Sequence, residues 1–188
     1  MVFHNEASWS LFWMNVTVYV LMTLGRMQWD VWLPAKFFDP DRWWYRTRDW
    51  ERGGELYREL LRIDRWKDKV PAVDGRTHFS KRHLLGDDPT YLRQFVMETC
   101  RGESNHLRAV LSTIPMRLWT PLDVWMVCFL IALLGNLPFI LIQRYNRPRL
   151  QRALGRVERR ALESAQRRAA AAPALQTGGD SDLQPATA

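Results

Sequence analysis

Histidine and cysteine are scarce in this chain, whose 188 residues include four histidines and two cysteines. Two cysteines are too few for a structural zinc site. Cys128 lies inside an apolar run, so we expect no disulfide between it and Cys100. Cys100 is either a covalent nucleophile or an ordinary, partly buried thiol, and we favour the second interpretation.

Two motifs that mark common enzyme classes are also missing. The chain has no glycine-rich phosphate-binding loop and no Gly-x-Ser-x-Gly nucleophile motif. For any group-transfer chemistry, these absences favour direct transfer over a covalent serine intermediate. We also find no internal repeat.

Long apolar runs, by contrast, are present, and the first covers about residues 9–33. It is long enough to cross a hydrocarbon core of about 30 Å. A secretory signal peptide is the competing interpretation, but His4 and Glu6 precede the run where Lys or Arg would be expected, and no small-residue cleavage pattern follows it. The run therefore predicts a retained membrane helix.

The second apolar run covers residues 118–142 and carries Asp123 as its only charge, which is typical of a transmembrane segment. Gly135, Asn136 and Pro138 interrupt it. The interruption predicts either a kink inside a helix bundle or a re-entrant segment that lines a cavity, and we favour the kink.

The positive charge is concentrated directly after the second run. Residues 143–168 hold nine Arg against Glu158 and Glu163, which matches the net charge of +7 for the whole chain. A basic segment beside a membrane helix favours a cytoplasmic C-terminal side and contact with anionic membrane lipids. Nucleic acid is not an expected partner, because the basic cluster adjoins the membrane.

Together these segments predict a mainly α integral membrane protein whose membrane domain covers residues 1–160. The Ala-, Pro- and Gly-rich residues 169–188 predict a disordered tail. Before this tail, the predicted segments are hydrophobic helices at about 9–33 and 118–142, an interfacial helical polar region at 34–117 and a basic juxtamembrane helix at 143–168.

Two further helices are predicted inside the polar region. Glu51 to Trp66 reads as one helix, because its apolar residues recur every three to four positions. Asp88 and Pro89 read as the start of another helix, which runs past Arg101.

This last helix carries side chains that are suited to chemistry. Glu98 and Arg101 share one face, and Glu103 and His106 share a neighbouring face. A carboxylate three residues before an imidazole can orient the ring while the other ring nitrogen takes a proton from an alcohol. Glu-x-x-His is also a metal-ligand spacing, but a second copy is missing, so we predict no metal site. On spacing alone, a solvated face with weak ion pairs is the commoner explanation.

The string from Ile142 to Leu150, IQRYNRPRL, resembles the signature that closes the last membrane helix of the glycosyl-4,4'-diaponeurosporenoate acyltransferases. The order and approximate separation of further elements agree with that family over residues 9–155. These elements are Leu33-Pro34-Ala35-Lys36-Phe37-Phe38, Trp66 to Lys69 with Asp74-Gly75, Arg82-His83-Leu84, and Glu98 to His106. The chain departs from the family in a loop made longer by Pro71 and Ala72 and in Leu107, where an aromatic residue is expected.

The resemblance implies transfer of a fatty acyl group to a primary hydroxyl of a sugar on a carotenoid acid. The implied partners are membrane lipids, a glycosylated carotenoid or glycolipid acceptor, and an acyl-CoA or acyl carrier protein donor. We expect no cofactor beyond this acyl thioester, which is a co-substrate. On this hypothesis His106 is the general base, Glu103 orients it, and His83 is the alternative base. The residues assigned to substrate or donor binding are Arg101, Arg82, Lys67, Glu98, Arg144, Asn146 and Arg147.

Two alternatives to this function stay open. The chain is either an acyltransferase of the same family that acts on another glycolipid, or a noncatalytic membrane subunit whose basic helix recruits a partner or lipid. The sidedness also presents a conflict. Two simple membrane crossings place residues 34–117 outside the cell, whereas a thioester donor made in the cytosol requires them inside.

Overall fold

The computed structural model of the chain describes residues 6–70 and 88–177, except for the side chains of residues 27–31 and 171–177. Within these two ranges the backbone is helical or looped and contains no strand, so the predicted mainly α class is confirmed. The α-helices are α1 (Glu6–Trp32), α2 (Glu55–Leu61), α3 (Ile63–Trp66), α4 (Pro89–Leu111) and α5 (Leu122–Thr177). Short 3-10 helices occur at Ala35–Phe38, Asp49–Gly54, Lys67–Lys69 and Pro115–Leu118.

Helices α1 and α5 are long and apolar enough to cross a bilayer. The stretch Glu6–Arg26 of α1 has a mean hydropathy of 1.3, and α5 contains a window of mean hydropathy 2.3. Only 6% of either window is buried inside the protein, so most of its apolar side chains face outward. Lipid is the surrounding that such an outward apolar surface requires. The prediction of an integral membrane protein with two hydrophobic helical segments is confirmed.

Helix α5 is one uninterrupted helix of 56 residues. It continues through Gly135, Asn136 and Pro138, so the alternative of a re-entrant segment there is wrong. Within a membrane, a proline removes one backbone hydrogen bond without ending a helix, because neighbouring groups satisfy the carbonyl that it frees. At a rise of about 1.5 Å per residue, α5 is about 84 Å long and extends far beyond the bilayer core.

The basic segment belongs to this same helix. Residues 143–168 continue directly from the apolar part of α5, and the helix ends only at Thr177, inside the predicted tail. Residues 169–172 are all alanine, which has the highest helix propensity, and they extend an existing helix without a new nucleation step. Residues 178–188, the rest of the predicted tail, lie outside the described residues.

Helix α4 begins as the sequence predicts. Asp88 caps it by accepting a hydrogen bond of 2.9 Å from the amide of Thr90, and Pro89 occupies its first turn. An aspartate cap satisfies one of the unpaired amides at a helix start, and a proline there has no amide to leave unpaired.

Helices α4 and α5 pack side by side in opposite directions. Residue numbers rise along α4 while those of its partners fall along α5, in the pairs Arg93 with Glu158, Thr99 with Arg147, Glu103 with Arg144, and His106 with Phe139. The start of α4 therefore lies beside the basic half of α5, and its later turns lie beside the apolar half.

The helix predicted from Glu51 to Trp66 is broken into three short pieces. Gly53 and Gly54 have φ values of 63° and 96°, and Arg62 has a φ of 49°. Left-handed residues end a helical run, and glycine adopts this conformation at little cost. The pieces nevertheless pack on α5, because Tyr57 and Ile63 form a buried cluster with Tyr145.

Gly54 allows this segment to approach α5 closely. A Cβ at Gly54 would lie 3.1 Å from the carbonyl oxygen of Tyr145 and 3.4 Å from Cγ of Pro148. We expect Gly54→Ala to lower the free energy of unfolding by about 1–3 kcal/mol, from left-handed strain and displacement of the segment. Gly155→Ala is the matched control, because nothing lies within 4 Å of its added Cβ. Equal thermal midpoints for the two variants in the same detergent would contradict the prediction.

Candidate active site

Four charged side chains from three parts of the chain form one buried ionic network. Glu51 comes from the 3-10 helix Asp49–Gly54, Glu103 from α4, and Arg144 and Arg147 from α5. Arg144 donates to Glu51 over 2.7 Å and to Glu103 over 2.8 Å, and Arg147 pairs with Glu103. We call this set the arginine–glutamate network. Its positive and negative charges cancel, which limits the cost of removing them from water.

Arg147 is the most enclosed arginine of the network, with 1% of its surface exposed. Besides Glu103, its guanidinium donates to the Tyr45 carbonyl over 2.6 Å and to the hydroxyl and carbonyl of Thr99 over 3.1 and 3.2 Å. Each of its three nitrogens thus has a partner within the protein. The geometry assigns Arg147 to holding α4, α5 and the segment around Tyr45 together, and its predicted part in substrate or donor binding stays a prediction.

Glu51 is fully buried and accepts two further hydrogen bonds, from the Tyr57 hydroxyl and the Arg48 amide, both over 2.9 Å. Burial raises the pKa of Tyr57, and its hydrogen bond to Glu51 raises that pKa further, so Tyr57 stays a neutral donor. Arg144 also donates to the Trp44 carbonyl over 2.8 Å. Arg144, another predicted donor-binding residue, is therefore engaged in holding the fold.

His106 lies further along α4, where this helix passes the apolar part of α5. Its ring stacks on Phe139 with centroids 4.4 Å apart and planes 8° from parallel. Its Nδ1 lies 2.9 Å from Oδ1 of Asn136. Asn136 in turn donates through Nδ2 to the Tyr19 hydroxyl of α1 over 2.9 Å and to the Ala132 carbonyl over 2.7 Å. Three helices thus contribute to the position of this imidazole.

These contacts determine which ring nitrogen of His106 carries the proton. A backbone carbonyl only accepts hydrogen bonds, so the Ala132 carbonyl requires the Asn136 amide nitrogen on its side. The Asn136 oxygen therefore faces His106, and Nδ1 must donate to it. In the neutral ring the lone pair then resides on Nε2, as in a histidine base held by an orienting group.

The orienting residue differs from the one predicted. We expected Glu103 to hold the ring of His106, but both carboxylate oxygens of Glu103 accept hydrogen bonds from Arg144 and Arg147. Because α4 and α5 are antiparallel, a shift of three residues along α4 changes the level on α5 from Arg144 to Phe139. Glu103 thereby meets the basic turns of α5, and His106 meets Asn136.

Glu98 and Arg101 remain adjacent, as the spacing predicts. Their charged groups lie 3.5 Å apart, and the Arg101 guanidinium lies 4.9 Å above the ring centroid of Phe38. The Arg101 side chain is 25% exposed, and its buried Nε has no hydrogen-bond partner among the described residues. Among the described residues predicted to bind substrate or acyl donor, Arg101 is the one whose guanidinium keeps an N–H group without a hydrogen-bond partner.

In the described part of the structure, the side chains of the remaining predicted residues form no hydrogen bond or ion pair with the arginine–glutamate network or with His106. Lys67 pairs with the neighbouring Asp68 over 2.5 Å, and Asn146 is half-buried on α5. Arg82 and His83 lie outside the described residues, so the alternative base stays a prediction.

Cys100 is an inert thiol. It is fully buried in a cluster with Phe38 and Tyr45, and burial raises its pKa to about 11. The thiol therefore stays protonated throughout the physiological pH range, and the interpretation as an ordinary thiol is supported over that as a nucleophile.

We expect Cys100→Ala to retain acyl transfer within about threefold at matched abundance, because a protonated, enclosed thiol is not the attacking group. The measurement is the initial rate of acyl transfer by Cys100→Ala and by the unaltered protein, each before and after treatment with a membrane-permeant maleimide. Complete loss of transfer in Cys100→Ala, with the same thermal midpoint as the unaltered protein, would contradict it.

No cluster of three or more His, Cys, Asp or Glu side chains suited to a metal ion occurs in residues 6–70 and 88–177. The carboxylate of Glu103, the member of the Glu-x-x-His pair that a metal would need, is bound by arginines.

The chain matches the family model described as glycosyl-4,4'-diaponeurosporenoate acyltransferase over residues 41–156, which include the network and His106. It belongs to this acyltransferase family. Curated relatives with that name from Staphylococcus aureus strains bovine RF122 and MRSA252 are each 28% identical over 80% of this chain and 88% of their own length. The relative from strain N315 is 27% identical over the same shares. No solved structure matches the chain.

Membership of the family confirms the prediction of an acyltransferase. The comparisons give no support to the alternative of a noncatalytic membrane subunit, because the matched segment of this acyltransferase includes the residues that carry the site. The acceptor and donor belong to the proposal below.

Sequence reasoning missed two residues of this region, Glu51 in the arginine–glutamate network and Asn136 beside His106. Asn136 had a usable signal, because an amide in the middle of an apolar membrane segment is costly unless it serves a purpose. Glu51 had none, because its partners Arg144 and Tyr57 are brought to it only by the fold.

Proposed function

We propose that this acyltransferase esterifies a sugar hydroxyl of a glycosylated carotenoid acid with a fatty acyl group at the membrane surface. The observation that carries the proposal is the imidazole of His106, which contacts Asn136 through Nδ1 and stacks on Phe139. The name of these relatives supplies the acceptor class.

The depth of His106 suits such an acceptor. The residues that contact it, Phe139 and Asn136, lie within the apolar part of α5, and Arg144 begins the basic part a little more than one turn after Phe139. A polyene is lipid-soluble and a sugar is polar, so a glycosylated carotenoid places its hydroxyls near this boundary. The acyl chain of the donor enters from the same apolar side.

The proposed reaction needs one base and no covalent intermediate. Nε2 of His106 takes the proton of the sugar hydroxyl as the hydroxyl oxygen attacks the thioester carbonyl carbon. The carbon–sulfur bond breaks, and the thiolate accepts the proton from His106. The products are the sugar ester and a free thiol, so protons and electron pairs balance without an oxidant, reductant or metal.

Arg101 is the residue that we assign to the donor. Its guanidinium is partly exposed, pairs only loosely with Glu98 at 3.5 Å and carries an unmatched Nε. A cation in this position favours the oxyanion that forms at the thioester carbonyl or the phosphates of an acyl-CoA or acyl carrier protein donor. Lys67 is a second cation for the phosphates, and no cofactor is needed beyond the thioester.

We place the protein in the cell membrane with the end of α5 in the cytoplasm. The nine arginines of residues 143–168 continue directly from the apolar part of α5, which is the charge distribution of a cytoplasmic flank. The same arginines attract anionic membrane lipids. A cytoplasmic location of the adjacent polar region agrees with a thioester donor made in the cytosol.

The test is mass spectrometry of lipid extracts from cells that make a glycosylated carotenoid, with this protein present or absent. We expect a mass gain equal to one fatty acyl group on the glycosylated carotenoid only when the protein is present. An acyl gain on a different glycolipid, with the carotenoid unchanged, would transfer the proposal to that acceptor. No gain on any glycolipid, with the protein abundant in the membrane, would refute it.

A further inference from the structure

The direction of α1 relative to α5 raises a question of topology. In the first half of α1, Asn15 contacts the residues just before α5: it donates to the hydroxyl of Thr120 over 2.9 Å and accepts from Trp119 over 3.0 Å. Farther along, Tyr19 of α1 reaches Asn136 of α5. Directly after α1, Leu33 packs on the buried cluster of Phe38, Tyr45 and Cys100. Cys100 follows Thr99, which accepts a hydrogen bond from Arg147 in the basic part of α5. The two apolar helices therefore run in the same direction.

Two helices that cross a bilayer in the same direction require the chain between them to return across it. We infer that the last turn of α4, from Leu107, and the residues up to Thr120 form this return and are embedded in the hydrocarbon. We call residues 107–120 the return segment. This inference depends on the crossings by α1 and α5 and is independent of the proposed acceptor and donor.

The path of the return segment fits this inference. It starts beside His106, which contacts Phe139 near the basic end of the apolar part of α5. It passes Thr113, whose carbonyl accepts a hydrogen bond of 2.8 Å from Trp125. It ends at Thr120, just before α5 begins at Leu122. The segment thus follows the apolar part of α5 from one end to the other.

The outer surface of the return segment is apolar except at Arg117, which is exposed near the far end of the segment. Leu107, Leu111, Ile114 and Leu118 are spaced by three or four residues and are 45%, 47%, 52% and 87% exposed. This row lies at the same level as the exposed apolar residues of α5, which include Leu130 and Leu134 at 47% and 65% exposed. A continuous apolar surface over neighbouring segments at one level is what a bilayer covers.

The hydroxyl groups of the return segment are satisfied internally, as hydrocarbon demands, and Arg117 donates to the Thr120 carbonyl over 3.1 Å at the far boundary. The hydroxyls of Ser112 and Thr113 donate to the carbonyls of Ala109 and Val110 over 2.7 Å. Thr120 exchanges hydrogen bonds with Asn15. Arg108 extends back along α4 to the Ser104 carbonyl, toward the polar end, in the way that long cations near a membrane boundary do.

This return removes the conflict over sidedness. With a third crossing by the return segment, the polar region and the basic half of α5 lie on one side of the bilayer, as the contact of Arg93 with Glu158 requires. If that side is the cytoplasm, the site is open to a thioester made there.

Single-cysteine variants of the full-length protein in native membranes test the inference, in a background of Cys100→Ala and Cys128→Ala. Leu60→Cys reports on the polar region and Leu162→Cys on the basic half of α5, since these leucines are 72% and 64% exposed. Ile114→Cys reports on the return segment, and Leu130→Cys is the matched control on the apolar part of α5. An impermeant maleimide is applied to right-side-out and to inverted vesicles.

We expect Leu60→Cys and Leu162→Cys to react in the same vesicle orientation. Ile114→Cys and Leu130→Cys should react at least about tenfold more slowly from either side, because thiols in hydrocarbon are shielded from water. A bimane attached at residue 114 should be quenched by nitroxides in the acyl chains as strongly as one at residue 130. Reaction of residues 60 and 162 from opposite sides, or reaction at 114 as fast as at 60, would overturn the inference.

Discussion

His106→Gln is expected to lower the rate of acyl transfer by about 10²–10⁴-fold, the usual contribution of a positioned general base. Glutamine has a similar size and still forms a hydrogen bond with Asn136, so the fold should persist while the basic Nε2 is lost. The measurement is the initial rate of thioester consumption by membranes with matched abundance of the two proteins. A rate within about threefold of the original would assign the base elsewhere, with His83 the next residue to substitute.

Asn136 provides a second measurement on the same base. Asn136→Asp places a carboxylate against Nδ1 of His106, which favours the imidazolium and moves the acidic limb of the pH–rate profile to higher pH. Asn136→Leu removes the orienting contact, and we expect it to lower kcat with little change of that limb. A residue that only stabilises the fold would change the amount of folded protein and leave the profile in place.

Glu103→Gln and Arg147→Met are each expected to lower the free energy of unfolding by about 3–5 kcal/mol, because each leaves buried charges without a partner. Glu103 loses its ionic contacts to both arginines of the network, and Arg147 is 1% exposed. The measurement is the thermal midpoint of purified protein in detergent, together with the amount of folded protein in the membrane.

Arg93→Ala is the matched control for the network variants. It removes the ion pair with Glu158 on the same two helices, but those side chains are 62% and 37% exposed. Exposed pairs contribute little, so we expect a change within about 0.5 kcal/mol. An unchanged midpoint for Arg147→Met with a raised KM for the thioester would restore the donor-binding role that the sequence predicts.

A double-mutant cycle on Glu103 and Arg147 separates their mutual contact from their other contacts. Because the two side chains touch and share the network, we expect their combined effect to depart from the sum of the single effects by about 0.5–3 kcal/mol. Additive effects would show that each residue acts through separate partners.

Local patterns predicted the elements of the fold well. The apolar runs gave α1 and the first part of α5, and the pair Asp88-Pro89 gave the start of α4. These signals succeed because hydrophobic length and end capping are decided by neighbouring residues. The break at Arg62 had no such signal, because a left-handed arginine is imposed by the packing of Ile63 and Tyr57 on α5.

The partners within the site were predicted less well, because they depend on the alignment of α4 with α5. The spacing placed Glu103 and His106 on neighbouring faces correctly, yet it gave no information about which turn of α5 each would meet. On α5, Phe139 lies more than one turn before Arg144, and Asn136 lies more than two turns before it. The sequence therefore predicted a contact of His106 with Glu103 where the fold gives one with Asn136, and the role of His106 as base stays a prediction.

The network also determines the order in which the protein can mature during synthesis. Glu51 and Glu103 leave the ribosome well before Arg144 and Arg147, the cations that neutralise them in the folded state. Until α5 is made, burying these carboxylates is unfavourable, so the polar region must wait in a hydrated, unassembled form. A nascent chain that stops before Arg144 therefore lacks the cations that the burial of Glu51 and Glu103 requires. Helix α5, the last helix to be inserted, is the one that permits the earlier segments to dock.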